Sequence, residues 1–520
     1  MAAEKSGAFF AYHEPDIINI LTLISFFLFL ATAHWLAEKI ICASLIGNII
    51  VGLIYGVPIA NILAIDWQAT FLVLGYIGLI LIIFEGGLTV RLDLLRQNLI
   101  LSAAVALFGV LTPIALSFGL LYAGFHYALL EAFIVGTSLC STSLGTTFVV
   151  LSSASKNKPK STSSSPNADA NPTAPAVAAG VDFSQTRIGT VLVGAAVLDD
   201  VCGLVLVSLI RNLRGVAGDA DGGGTSLGWT VGRPVLASGL MAVLTPVVAW
   251  LVAGPLYRRF VTPSRLQRAA AAGVAHAFNI LLMAAVLCAF LTIAAYAGAS
   301  VLFGAFLAGA FVSSLPARQA REEGEREIPV FTDSFEHYLG TPQKYVFQPL
   351  FFASIGFAIP FVDLWTGESI WKGVVYALLM AFAKIVVGVM VPVWEFISPR
   401  LRQRSSGKRP VSGTATWAPA TLLGAAMVAR GEIGLVIIQI GLNETPFLSQ
   451  EAFIIGVWAI VLNTIIGPVL VGVLLNRAGA SIAENPCWGV QENHGSDTEV
   501  AVEAEPTSTS QETSSRRTSA

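Results

Sequence analysis

Long apolar blocks alternate with short polar breaks along this chain. Ile17 to Trp35, Gln68 to Val90 and Phe453 to Leu475 are each long enough to cross a ~30 Å hydrocarbon layer. Read from end to end, the pattern predicts thirteen spans, near 17–36, 42–58, 70–89, 98–121, 129–152, 186–211, 234–257, 274–297, 299–315, 345–363, 370–395, 416–441 and 452–476. In lipid each must be a helix, because every backbone N–H and C=O needs an internal partner. The expected fold is an all-α polytopic membrane protein.

Composition agrees. Of the 520 residues, 55% are hydrophobic and only 12% are charged, about half the ~25% of ordinary soluble domains; the mean hydropathy is +0.72. The net charge of −3 gives no reason to expect nucleic acid. Cys42, Cys140, Cys202, Cys288 and Cys487 are scattered, so neither a disulfide framework nor a metal site is expected. The first apolar segment has no basic flank or small-residue cleavage site, and it reads as a permanent span.

Positive charge orients the spans. With the N-terminus outside, the inside loops and tail carry 23 Lys and Arg against five outside (Lys5, Arg211, Arg214, Arg233 and Lys372). Thirteen spans therefore put the C-terminus inside, in the cytoplasm, and the host is the plasma membrane or an endomembrane. Residues 155–182, rich in Ser, Lys and Pro, read as a disordered inside loop, and 480–520 as a disordered tail. These two divide the chain into spans 1–5 (1–154), loop (155–182), spans 6–13 (183–479) and tail (480–520). Loop 317–329 reads as a solvated charged loop.

Spans 1–6 and 8–13 form an internal repeat, and the single connecting span 7 inverts the second set. Spans 2 and 9 are small-residue helices, suited to close packing. Spans 4 and 11 hold Pro113 and Pro392. Spans 5 and 12 are interrupted, at TSLCSTSLGTT and AAMVARGEIG. Interrupted helices at matching places in two inverted halves point to a binding site near the midplane.

The charge count leaves two basic residues, Lys384 and Arg430, inside spans. A cation there costs at least ~2.5–3.5 kcal/mol, so each needs a partner or a wet cavity. Asp199 and Asp200 lie between apolar runs in span 6, about 100° apart on the helix. One can face a helix partner and the other a cavity. A carboxylate in a cavity can hold a proton or a hard cation, and that competition is antiport. The alternative is a purely structural bridge to Lys384 or Arg430. Lys384, too deep to reach the interface, has a span 6 aspartate as its natural partner; it is either a second proton carrier or half of a permanent bridge. Arg430 and Glu432, two apart in broken span 12, are expected to compensate each other and the free backbone ends, supporting the site. In span 5, Thr142 and Ser143 offer hydroxyl and carbonyl oxygens to an ion, or bond back to their own helix. Glu85, near Arg91, reads as an interface residue. His34 and His276 are not expected to bind metal. Trp35, Trp67, Trp365, Trp371 and Trp417 read as an interfacial belt.

The strings IGLILIIFEGGLTVRLDLL, STSLGTTFVVL, AAVLDDVCGLVL, SVLFGAFLAGAFV, QPLFFASIGFAI and ARGEIGLVI resemble, in order and spacing, the monovalent cation:proton antiporter-2 family over about 15–476. The double aspartate is similar to that of the electrogenic sodium/proton antiporters. The resemblance implies that Asp200 binds ion and proton while Asp199 pairs with Lys384, and that both aspartates surround Na+. It makes spans 5 and 12 the crossing broken helices, with Thr142, Arg430 and Glu432 beside the site. It further implies a core domain moving elevator-like against a dimerisation domain, in a homodimer that serves pH homeostasis and salt tolerance. Kef-type potassium efflux relatives usually have Gln-Asp here and a soluble nucleotide-binding domain after the last span; with Asp-Asp and about 44 mostly polar residues in those places, ligand-gated potassium efflux is not the expectation. The insertion before span 6 is unusual for bacterial members and suggests a eukaryotic chain, with a fungal one the expectation.

The expected function is exchange of Na+, or of Li+ or K+, for protons, with no cofactor. The alternatives are a sodium-coupled symporter of an organic solute, a potassium/proton antiporter, and a non-transporting sensor. No nucleophile–base set or metal motif points to an enzyme.

Overall fold

The computed structural model describes residues 14–41, 43–90, 98–143, 183, 186–218, 227–260, 274–315, 331–397, 414–483, 485 and 487–489. The expectations for loops 155–182 and 317–329, for Arg91 and for the second half of span 5 lie outside these residues. So does the tail beyond 489.

Among the described residues every regular element is helical. The chain runs through α1 (Ile17–Ile41), α2 (Ser44–Tyr55), α3 (Ile65–Thr89), α4 (Leu99–Ser117), α5 (Leu129–Ser138), α6 (Arg187–Gly218), α7 (Leu227–Val248), α8 (Gly254–Phe260) and α9 (Val274–Ala297). It continues through α10 (Val301–Ser314), α11 (Phe331–Phe335), α12 (Gln348–Phe357), α13 (Phe361–Leu364), α14 (Gly367–Val387), α15 (Met390–Ile397), α16 (Thr414–Ala426), α17 (Glu432–Glu444) and α18 (Gln450–Ala483). Eight helical stretches among them are long and apolar enough to cross a bilayer. The shorter or interrupted pieces fill the other five of thirteen positions: α2, α5, α10, the run from α11 to α12, and α16 with α17.

Two boundaries differ from expectation. Span 10 begins at Phe331, not 345, and α12 ends at Phe357. Its first half carries Asp333, Glu336, His337 and Gln343, which break the apolar pattern. Helical backbone is kept there through two wider π-turned segments, Glu336–Gly340 and Gln343–Phe347. The tail also begins later than expected. α18 continues to Ala483, and Asn485, Cys487 and Trp488 are buried.

The inverted repeat is visible in the packing. α1 lies on α2 as α9 lies on α10, and α2 meets α12 as α10 meets α3. α4 packs on α6 as α14 packs on α18. Two groups result. One holds α1, α2, α3, α9, α10 and α12; the other holds α4, α5, α6, α14, α16, α17 and α18, with α7 leaning on α6 and α10. Trp35, Trp67, Trp365, Trp371 and Trp417 all lie on the exterior.

Without a hydrophobic drive between helices in lipid, close backbone approach does the packing. Gly87 and Gly309 are the sharpest case. A Cβ on either would collide with a backbone carbonyl across the α3–α10 contact, that of Phe306 for Gly87 and of Phe84 for Gly309. We expect Gly309→Val to cost about 1–3 kcal/mol by overpacking. The check is a lower unfolding temperature in detergent, whereas Val at Gly472, where a side chain meets open space, should leave it unchanged.

Candidate functional site

The two interrupted spans cross in the middle of the second group. α5 stops at Ser138 and α16 at Ala426, and α17 restarts at Glu432 after Gly431. Between the stops the chains run extended and bond to each other: the Ser143 N–H donates to the Ala429 carbonyl at 2.9 Å. Gly431 makes the crossing possible, since a Cβ there would come within 2.8 Å of the Ser143 Cβ.

A helix C-terminus carries partial negative charge, and both α5 and α16 end at this point. Two cations meet them. Lys384 Nζ, on α14, donates to the Cys140 carbonyl at 2.5 Å, and Arg430 Nη1 donates to the Ser141 carbonyl at 2.9 Å. Thr464 on α18 in turn donates to the Arg430 carbonyl at 3.1 Å. Both cations are fully buried. Of the two roles expected of Arg430, compensation of a free backbone end is the one it takes, and not a pairing with Glu432. No ion pair joins them among the described residues, and Arg430 directs its charge at the freed carbonyl instead. Glu432 occupies the first turn of α17, where an acid suits the positive helix end.

α6 brings the aspartates to this crossing, and their surroundings differ. Asp199 is fully buried. Its Oδ2 accepts from Lys384 Nζ at 2.6 Å and from Thr142 Oγ1 at 2.9 Å, and Lys384 also donates to that hydroxyl at 3.1 Å. Asp200 is half-buried. Its Oδ1 accepts from Ser141 Oγ at 3.0 Å, and Glu432, also half-buried, lies within its electrostatic range. Thr142 thus belongs to the Asp199–Lys384 pair, while Ser143 is held at the crossing beside Gly431. Glu85 lies in the other group, hydrogen-bonded to Gln343 of span 10 at 2.5 Å.

Three residues beside the pair carry no distinctive sequence signal. Ser141 supplies a hydroxyl to Asp200 and a carbonyl to Arg430. Cys140 contributes through its carbonyl. Gly109 on α4 leaves the space: a Cβ there would stand 3.3 Å from both Asp199 Oδ1 and Lys384 Nζ. Pro113, four residues on, cannot donate the usual helical bond to the Gly109 carbonyl. Only that proline is a usable sign.

Known proteins share this frame. GerT of Bacillus cereus is 26% identical over 413 residues, covering 79% of this chain and 87% of that one. GerN of the same organism, named a Na+/H+-K+ antiporter, is 25% identical over 429 residues, covering 82% and 88%. A Na+/H+ antiporter of Enterococcus hirae is 25% identical over 434 residues, covering 82% and 90%. In structure, the sodium proton antiporter MjNhaP1 of Methanocaldococcus jannaschii, at pH 8, matches with a TM-score of 0.57 at 16% identity over 88% of this chain and 99% of that one, a likeness of fold. The profile of the sodium/hydrogen exchanger transmembrane family matches residues 24–162 and 174–477. Crossed broken helices, an aspartate–lysine pair and that match over most of the length lead to one conclusion: the chain belongs to the sodium/hydrogen exchanger family.

Proposed function

We propose that this protein exchanges Na+, with Li+ or K+ as further substrates, for protons across its membrane. One observation carries the reading: adjacent aspartates in different surroundings, Asp199 locked on Lys384 and Asp200 half-open beside Ser141 and Glu432. Asp200 is then the group that holds either a proton or a cation. Oxygen ligands suit a hard cation, and Asp200, the Ser141 hydroxyl and Glu432 supply them, with Thr142 and Ser143 close by. Asp199 and Lys384 hold α6 to α14; when a cation enters, their shared proton becomes the second one available for exchange. Arg430 keeps the crossing neutral.

The two packed groups support an elevator-type movement. The crossing and the aspartates sit in one group, and the boundary runs where α6 meets α7 and α10. The apolar exteriors of α1, α7 and α9 face lipid and a second copy of the chain. The charge asymmetry of the loops supports an external N-terminus and a cytoplasmic C-terminus. GerN has K+ in its name, so K+ belongs in the test.

The test uses proteoliposomes with an internal pH dye and an imposed pH gradient. Addition of Na+ or Li+ should dissipate the gradient saturably. If none of Na+, Li+ and K+ does so, exchange is not the function.

A further inference from the structure

The inner end of α6 is held by a piece of chain far away in sequence. After α18 the backbone turns at Asn485, whose Oδ1 accepts from the N–H groups of Cys487 and Trp488 at 2.9 and 3.1 Å. The Gly489 N–H returns to the Asn485 carbonyl at 2.8 Å. Only glycine fits at 489, because a Cβ would run into the Ala483 carbonyl. This turn aims two carbonyls at α6. The Arg187 N–H donates to Gly489 at 3.0 Å, and the Ile188 N–H donates to Trp488 at 3.2 Å.

The first four N–H groups of a helix have no partner inside it. Here the turn takes two, and Thr186 Oγ1 takes that of Gly189 at 3.1 Å. Side chains add to the hold. The Trp488 ring is 1% exposed, with the Arg187 guanidinium 5.1 Å from its centroid. Arg187 also reaches Asn98 Oδ1 on the α4 side at 3.4 Å, and Phe183, just before α6, lies against Gly479 of α18.

Asp199 is twelve residues further along α6, about 18 Å at 1.5 Å per residue. A helix transmits axial shift and rotation over that length as a rod. Asp200 makes its contact to Ser141 at the far end of this rod. We propose that the Asn485–Gly489 turn is a clasp setting the register of α6, so that Trp488 is a positioning residue for cation binding at Asp200. The proposal rests on the exchange reading.

By linkage, a clasp that sets cation affinity must itself respond to the cation. The experiment therefore has two readouts in the full-length protein. In proteoliposomes, Trp488→Ala should raise the apparent KM for Na+ about tenfold, the lower end of the range for outer-shell partners of bound metal ions. The maximal rate should change less than about twofold, and Trp488→Phe should restore most of the affinity. In detergent, alkylation of the buried Cys487 thiol by a maleimide, followed by mass spectrometry of its peptide, should change in rate when Na+ is added to wild type, and not in Asp200→Asn. An unchanged KM in a folded Trp488→Ala protein overturns the proposal. Should that variant not fold, a Cys487 rate indifferent to Na+ in wild type overturns it. Wild type that exchanges no cation overturns the exchange reading instead.

Discussion

We expect Asp200→Asn to abolish cation–proton exchange while leaving the protein folded. Asparagine keeps the shape of the side chain and can still accept from Ser141 Oγ, the one side-chain bond seen at 3.0 Å. It can carry neither the negative charge proposed to hold the cation nor the exchangeable proton. Losing one partner of a buried charge pair costs about 3–5 kcal/mol, and at about 1.4 kcal/mol per decade the loss is roughly 100- to 4,000-fold. Because Asp200 is half-buried and outside the Asp199–Lys384 pair, the unfolding temperature in detergent should barely move. The measurement is the initial rate of dye recovery at saturating Na+, beside wild type reconstituted at equal density. Retention of even a tenth of the wild-type rate would remove Asp200 from the centre of the mechanism.

The neighbouring aspartate gives the reverse pattern. Asp199→Asn strands Lys384 with no counter-charge in a fully buried place, which should destabilise the fold by about 3–5 kcal/mol. The unfolding temperature falls steeply. The double variant Asp199→Asn with Lys384→Gln removes both charges and should recover most of that loss. A neutral amide at 384 can still donate toward Thr142 and the Cys140 carbonyl, which the lysine serves now. With Asp200 untouched, the double variant should still exchange cations, at a changed proton stoichiometry measured as membrane potential. If the double variant is no more stable than the single one, the pair is not what holds α6 to α14.

Much of this architecture is legible in the residues alone. Spans announce themselves because lipid imposes one length and one chemistry. A charge inside such a span has few possible partners, so Asp199, Asp200, Lys384 and Arg430 stand out, and the structure gathers them at one crossing. The less legible parts work through backbone. Ser141 and Cys140 matter through carbonyls freed by the break in α5, and residue type does not encode which carbonyl points where. Charge alone pairs Arg430 with Glu432, whereas the Ser141 carbonyl on the other broken span is the acceptor it finds. The polar start of span 10 hides behind Asp333 and Glu336. The folded turn at 485–489 is masked by the polar residues after it, although an adjacent Cys487 and Trp488 in such a stretch is a sign of burial.

The bond from Ser143 to Ala429 splices the two halves of the molecule at their weakest points. Each break alone is a joint that could bend, but spliced together they cancel each other's freedom, as two hinges pinned at one spot become a truss. Any motion that turns the aspartates from one side of the membrane to the other must then carry both interrupted helices as freight. In the proposed elevator movement the sliding falls at the rim, along the seam beside α7 and α10, where a substitution should alter turnover without touching a single ligand.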